Sequence, residues 1–428
     1  MSYHPRRFAN SPLYRLLQDH WEVFLSVYED QFQQQQGALR SVVERVVPRY
    51  LDCGNPMNGF ARIRCPDCGH ERLLAFSCKC RGFCPSCQAR RAEEWAIWLI
   101  DHRLEQVPHH HVIFTIPKML RAYFRYDRSL LNDLSRAANR TVLNYLSILL
   151  GIDVIPGLVV ARHTFGAGAR FHPHLHAMVT GGGLDSDGRW HTVSGWDRPV
   201  LRELFEIEVF RDLRERELLS AERIELIRSW RHSGFDVYVG AAIEPDNREL
   251  LEHIARYLLR APVSLERMRY DPQEGTVTIF PLSSEGKDPL ITDALEFISR
   301  LIVHIPDVRE RQVTYYGAYA NASLHRRQKR MSVGPDDGFV LLSELEEPTP
   351  FELRRRIRWA QLIKRVWLED PLLCPACKGE MRIISFITDP PVVDEILRHI
   401  QWHPGEPLVP YIRPPPEMLK VAESSPNS

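Results

Sequence analysis

The sequence predicts an α+β protein in which a small cysteine-rich module precedes an antiparallel sheet covered by helices, with a mixed C-terminal region after it. Three observations predict this class. Six of the nine cysteines fall between Cys65 and Cys87. Apolar residues recur at helical spacing in several long segments, and short alternating runs bounded by glycine and proline lie between them. A chain of 428 residues also exceeds what one core usually serves. We read a helical lead-in over 1–50, a zinc-binding domain over 51–95, a sheet domain over 96–285, a mixed region with basic clusters and a CxxC pair over 286–406, and a disordered tail over 407–428.

Taken in order, Leu13, Leu16, Leu17, Trp21, Phe24, Leu25 and Tyr28 mark the lead-in as helical. Cysteines and glycines dominate from Cys53 to Arg91, and a helix then carries Glu93, Trp95, Trp98, Leu99 and Leu104. The run His111-Val112-Ile113-Phe114-Thr115-Ile116 reads as a strand ending at Pro117, and an amphipathic helix follows from Asp127 to Leu150. Leu158 to Phe165 forms the first strand of a hairpin, Gly166 and Gly168 supply its turn, and the second strand carries His172, His174 and His176. Residues 199–232 are charged and helical, Asp236 to Val239 is a strand, and a helix from Asn247 to Leu259 holds Tyr257 and stops before Pro262. Gly275 to Pro281 is strand-like, and the proline-rich tail from Pro407 reads as disordered.

Lysine plus arginine and aspartate plus glutamate are equal at 55 each, so a nucleic-acid surface must come from local segregation of charge. Arg81, Arg90 and Arg91 flank the cysteines, His325 to Arg330 forms a second basic cluster and Arg354 to Arg358 a third. Charge runs of this kind are more often solvated faces than phosphate contacts. No apolar run is long enough to span a membrane, and the N-terminus lacks the apolar core of a secretory signal. We therefore expect a cytoplasmic protein, in which clustered thiols stay reduced and bind metal.

Cys65-Pro66-Asp67-Cys68, then fifteen residues, then Cys84-Pro85-Ser86-Cys87 supply four thiolates at the spacing of a closed, structural zinc site. Cys53, Cys78 and Cys80 fit a further site with His70, exchange with a knuckle cysteine, or ordinary buried thiols, and the last is the reading for Cys80. Cys374-Pro375-Ala376-Cys377 is half a site, with His399 and His403 as distant candidates to complete it.

The second constellation is Phe171-His172-Pro173-His174-Leu175-His176. Alternate side chains of a strand share a face, so the histidines point one way while Leu175 and Ala177 point into the core. His174 and His176 can hold a divalent cation, and His163 across the hairpin is the nearest third ligand. His172 has the same parity but sits beside the bend at Pro173. A lone His-x-His is as often a pair of solvated histidines in an edge strand. His109-His110-His111 reads as a cap on the strand that starts near Val112.

The pattern from Cys53 to Arg91, with Phe76-Ser77-Cys78-Lys79 and Gly82-Phe83-Cys84-Pro85-Ser86-Cys87, the run His163-Thr164-Phe165-Gly166 leading to His172-Pro173-His174-Leu175-His176, and Arg256-Tyr257-Leu258-Leu259-Arg260-Ala261-Pro262 resemble transposases of the insertion-sequence-91 family. The match runs in the family's order over roughly residues 45–385, and Cys374 to Phe386 resembles the tail of many bacterial members. The resemblance implies a ferredoxin-like nuclease domain in a bacterial rolling-circle transposase, associated with the nucleoid when bound to DNA. Mg²⁺ or Mn²⁺ would sit on His174, His176 and His163, and structural Zn²⁺ on the cysteines. It implies that Tyr257 attacks single-stranded DNA at element ends and at the target, leaving a covalent 5′-phosphotyrosine, with Arg256 and Arg260 as candidate phosphate contacts. Strand transfer through such a linkage needs no ATP, in keeping with a chain that has no GxxxxGK[ST] loop.

The two-tyrosine branch has a second nucleophile four residues before this one. Here that position is His253, so the chain resembles the single-tyrosine branch, and its nucleophile is reused or supplied by another subunit of a homo-oligomer. Tyr315, Tyr316 and Tyr319 could stack on bases, although core packing accounts for them as well. Two other functions fit the same residues: a plasmid rolling-circle replication initiator or relaxase, and a zinc-dependent DNA-binding protein with an inactive nuclease site.

Overall fold

The computed structural model describes residues 11–193, 195–281, 288–323 and 372–403. These sort into two compact units, one of residues 11–21, 44–80 and 372–403, the other of 22–43, 81–193, 195–281 and 288–323. The basic clusters at 325–330 and 354–358 and the tail from Pro407 lie outside the described residues. Among the described residues no helix is long and apolar enough to cross a membrane.

The chain opens with helices α1 (Pro12–Gln31) and α2 (Ser41–Leu51), strands β1 (Phe60–Arg64) and β2 (Glu71–Ala75), and helix α3 (Pro85–His102). Strand β3 (His109–Thr115), helix α4 (Leu130–Leu150), strands β4 (Gly157–Phe165) and β5 (Phe171–Thr180), helices α5 (Arg198–Glu215) and α6 (Ala221–Arg228) and strand β6 (Asp236–Ile243) follow. Then come helix α7 (Arg248–Leu258), strands β7 (Met268–Asp271), β8 (Thr276–Ile279) and β9 (Leu290–Asp293), and helix α8 (Ala294–Ile302). Strand β10 (Val313–Gly317), strand β11 (Arg382–Ile387) and helix α9 (Pro390–His399) complete the order.

The second unit is built on a five-stranded antiparallel sheet of order β10-β4-β5-β3-β6. The path β3-α4-β4-β5-α5-β6, with sheet order β4-β5-β3-β6, is the ferredoxin-like arrangement, and β10 adds a strand on the β4 edge. Both faces of the sheet are covered, which explains the unbroken apolar run Leu158-Val159-Val160 in central strand β4. Val112, Phe114, Leu158, Val160, Leu175, Ala177 and Val179 pack on one face against Leu134, Ala138 and Val142 of α4 and Leu201, Phe205 and Val209 of α5. The opposite face places Val159, Ala161 and Met178 against Ala96 and Leu99 of α3 and Leu251, Ala255 and Leu258 of α7. That second face also carries the histidines.

Local chemistry sets the ends of the flanking helices. Helix α4 stops where Gly151 adopts a left-handed φ of 68°. Helix α7 starts at Asn247, whose side-chain oxygen accepts from the Leu250 amide at 3.2 Å, and ends ahead of Pro262. His109, His110 and His111 do not cap β3; they form its first half, because their backbones pair with Thr180, Val179 and Met178 of β5. The 286–406 stretch is shared out: β10 pairs with β4, whereas β11 pairs with β1 in the β11-β1-β2 sheet of the first unit.

Candidate metal and nucleophile site

His163 of β4 lies directly opposite His174 of β5, and His176 follows two residues on, so alternation places all three side chains on one face. Their ligand atoms lie within 4.8 Å of one another, and all three residues are buried. His174 Nδ1 is 2.7 Å from the His172 carbonyl, which can only accept, so Nδ1 carries the hydrogen and Nε2 keeps its lone pair. By the same reasoning His163 Nε2 donates to the Leu258 carbonyl at 2.9 Å, which leaves Nδ1 with the lone pair. That Nδ1 is buried and has no hydrogen-bond partner among the described residues.

His176 Nε2 faces His174 Nε2 at 3.0 Å, and His176 Nδ1 faces Nε2 of His111 at 3.0 Å. When His176 donates from Nδ1 to His111, its Nε2 turns a third lone pair into the cluster. Burial, reinforced by the neighbouring imidazoles, holds His163 and His176 well below the ordinary histidine range. Burial also lowers His174 and His111 to about 4. All four are therefore neutral near pH 7, the form that ligates a cation. The donor set fits a divalent ion, since adjacent donors on an octahedral ion with bonds of about 2.1 Å stand about 3.0 Å apart.

Tyr257 occupies the last turn of α7, half-buried, with its ring centroid 5.0 Å from His176, 6.0 Å from His111 and 6.3 Å from His163. The Arg260 guanidinium lies 4.4 Å from the Tyr257 ring centroid and 5.2 Å from that of Phe165. Burial lowers the Arg260 pKa, and Tyr257 opposes the shift. Arg256 instead points to carboxylates, 3.3 Å from Glu93 and 3.5 Å from Glu252. His253, one turn before Tyr257, is exposed.

Two residues that the sequence does not assign to this site tie it together. His111 reaches it because β3 lies beside β5 and alternation turns residue 111 to the histidine face; the strand's parity was the available signal. Gln88 on α3 accepts from the Gly82 amide at 3.0 Å and donates to the Leu259 carbonyl at 2.7 Å. His163 and Gln88 thus satisfy successive carbonyls, Leu258 and Leu259, at the end of the helix that carries Tyr257. No local pattern marks Gln88. Tyr319 is wholly buried and hydrogen-bonds to His109 at 2.6 Å, and Tyr316 donates to Ser135 at 3.0 Å. Tyr315 accepts from Trp95 at 2.7 Å, so these hydroxyls serve packing.

In the first unit Cys65 and Cys68 meet Cys374 and Cys377, with all four sulfurs within 4.8 Å of one another. His399 and His403 are not part of that group. Cys53 and Cys78 lie together in the same unit, the Cys78 amide donating to Cys53 Sγ at 3.4 Å. Cys80 is buried, its thiol directed at the Val46 carbonyl. Cys84 and Cys87 belong to the second unit, at the start of α3.

Two family models match the chain: one described as a transposase zinc-binding domain over residues 23–116, the other as "Putative transposase" over residues 157–328. The transposase for insertion sequence element IS801 of Pseudomonas savastanoi pv. phaseolicola is 27% identical over 364 residues, which cover 81% of this chain and 84% of the relative. A protein of Sinorhizobium fredii named "Putative transposase y4qJ" is 27% identical over 395 residues, covering 85% of this chain and 95% of its own length. No solved structure matches.

Proposed function

The chain belongs to the insertion-sequence-91 family of transposases, and from that premise we propose that it nicks single-stranded DNA at element ends and transfers strands through a covalent bond to Tyr257. The observation that carries this reading is the convergence of three buried imidazoles, those of His163, His174 and His176, with ligand atoms within 4.8 Å of one another beside the ring of Tyr257. A divalent cation such as Mg²⁺ or Mn²⁺, when bound there, supplies positive charge against the scissile phosphate.

The remaining chemistry belongs to the chain. The Tyr257 phenol loses its proton and its oxygen forms a bond to phosphorus. The bond from phosphorus to the 3′ oxygen breaks, and that oxygen takes up a proton to leave a free 3′-hydroxyl and a 5′-phosphotyrosine. Attack by another 3′-hydroxyl reverses the exchange and joins strands without hydrolysis. Arg260 is the cation placed to steady charge at the phenol oxygen or an adjacent phosphate oxygen. Arg256, engaged by Glu93 and Glu252, orients α7 instead. The hydrogen bond from His163 to the Leu258 carbonyl links a cation ligand to the backbone beside the nucleophile, so the two are positioned together. A single tyrosine acts twice or alternates with that of a second copy. Zinc is structural, held by cysteines in a site with no open position.

The test is incubation of the protein with labelled single-stranded DNA from an element end and Mg²⁺ or Mn²⁺, followed by a denaturing protein gel. A cation-dependent adduct in the wild type that disappears in Tyr257→Phe and His174→Ala is the expected result. An adduct that persists in Tyr257→Phe moves the nucleophile elsewhere, and tight DNA binding with no adduct leaves only a binding role.

A further inference from the structure

We propose that a structural zinc ion of this chain is held by a four-thiolate clasp in which Cys65 and Cys68 close on Cys374 and Cys377, so that the site exists only when two distant parts of the sequence meet. Cys68 and Cys374 are 306 residues apart in sequence, yet their sulfurs are 3.5 Å apart. Cys65 and Cys377 approach to 3.4 Å. These separations far exceed the disulfide bond length of about 2.05 Å and lie near the edge of about 3.8 Å that four sulfurs make around zinc with bonds of about 2.3 Å.

The two knuckles follow one plan. The Cys65 amide donates to the His70 carbonyl at 2.8 Å and the Gly69 amide to the Cys65 carbonyl at 3.0 Å. In the other knuckle, the Cys374 amide donates to the Gly379 carbonyl and the Lys378 amide to the Cys374 carbonyl, both at 2.9 Å. The residue after the second cysteine is left-handed in each, Gly69 at φ 74° and Lys378 at φ 66°. Lys378, a non-glycine residue, adopts the uncommon left-handed conformation that Gly69 takes at the equivalent position, so the two turns share one backbone path.

The surroundings are built for contact between the knuckles. Ile63, Cys65, Cys374 and Met381 form one buried cluster, and β11 pairs with β1 from Phe60↔Ile387 to Arg64↔Arg382. A side chain on Gly379 would run into the Asp67 carboxylate. The family's zinc-binding model matches residues 23–116, which include only one knuckle of the clasp.

Cys68 and Cys377 are exposed, which makes the proposal testable on the intact chain. Full-length, reduced protein is treated with isotope-coded N-ethylmaleimide with and without a zinc chelator, and each cysteine's labelling is read by peptide mass spectrometry beside metal analysis. Protection of exposed thiols cannot come from burial, so Cys68 and Cys377 should resist labelling until chelator is added and then react together with Cys65 and Cys374. A Cys374→Ser, Cys377→Ser double variant should lose one equivalent of zinc and leave Cys68 reactive without chelator. Full labelling of Cys374 and Cys377 in zinc-loaded wild type, with Cys65 and Cys68 still protected, would overturn the clasp, as would unchanged zinc content in the double variant. The wild-type arm decides the matter even if the double variant misfolds. No DNA enters the measurement, so its outcome stands apart from that of the Tyr257 experiment.

Discussion

Removing the His111 imidazole should weaken cation binding without touching a proposed ligand. His111 Nε2 lies 3.0 Å from His176 Nδ1 and accepts its hydrogen in the tautomer that frees His176 Nε2 for a cation. The His176 side chain is buried, so water does not readily replace the lost partner, and an orphaned Nδ1–H costs its desolvation. Loss of such an outer partner typically weakens metal affinity by about 10–100-fold, or about 1.4–2.7 kcal/mol. We therefore expect His111→Ala to raise the Mn²⁺ dissociation constant by that factor in calorimetric titration, with β3 intact because its backbone pairing does not use the side chain. His111→Gln, which keeps an acceptor at similar reach, should recover most of the loss, and His174→Ala should abolish binding. Unchanged Mn²⁺ affinity in His111→Ala, with binding lost in His174→Ala, would refute the positioning role.

Replacing Gln88 by alanine orphans the Gly82 amide and the Leu259 carbonyl, both held by one buried side chain. A loss of about 1–3 kcal/mol should appear in denaturant unfolding, and a change below about 0.5 kcal/mol would show that the helix end is held otherwise. Arg260→Ala should slow adduct formation at unchanged melting temperature, whereas Arg256→Ala, which removes an ion pair to the largely buried Glu93, should lower the melting temperature; reversal of that pattern would exchange their roles. Stability should also fall in mild acid. Burial lowers His109 to about 4 and His304 to about 3. Below the unfolded value of about 6.5 the unfolded chain takes up protons that the native one refuses, so stability present above pH 6.5 is lost as pH falls toward 4. Each histidine accounts for about 2 kcal/mol at pH 5. Unfolding free energies that stay flat from pH 7 to pH 5 would contradict this account.

What the sequence determined by itself lies in short range. Alternation from Phe171 to Val179 put His174 and His176 on one face, and the hairpin glycines brought His163 opposite, because strand geometry repeats every two residues whatever surrounds it. Tyr257 stood out only through family resemblance, since a tyrosine in an amphipathic helix carries no local sign of chemistry. Each CxxC was likewise legible as a knuckle, a turn closed within six residues.

Tertiary structure decided which elements meet. Cys84 and Cys87 follow Cys68 after only fifteen residues and were the expected partners, yet the sulfurs next to Cys65 and Cys68 are those of Cys374 and Cys377. Closing the longer loop costs only about 2–3 kcal/mol more by loop entropy, well below the roughly 10–16 kcal/mol that a structural zinc returns. Proximity in sequence is therefore a weak guide to which knuckles pair, and packing of β11 on β1 outweighs it. His111 and Gln88 entered the site in the same way. Each lies where one element packs on another, and that packing depends on the summed burial of both sheet faces rather than on any pattern near the residue itself.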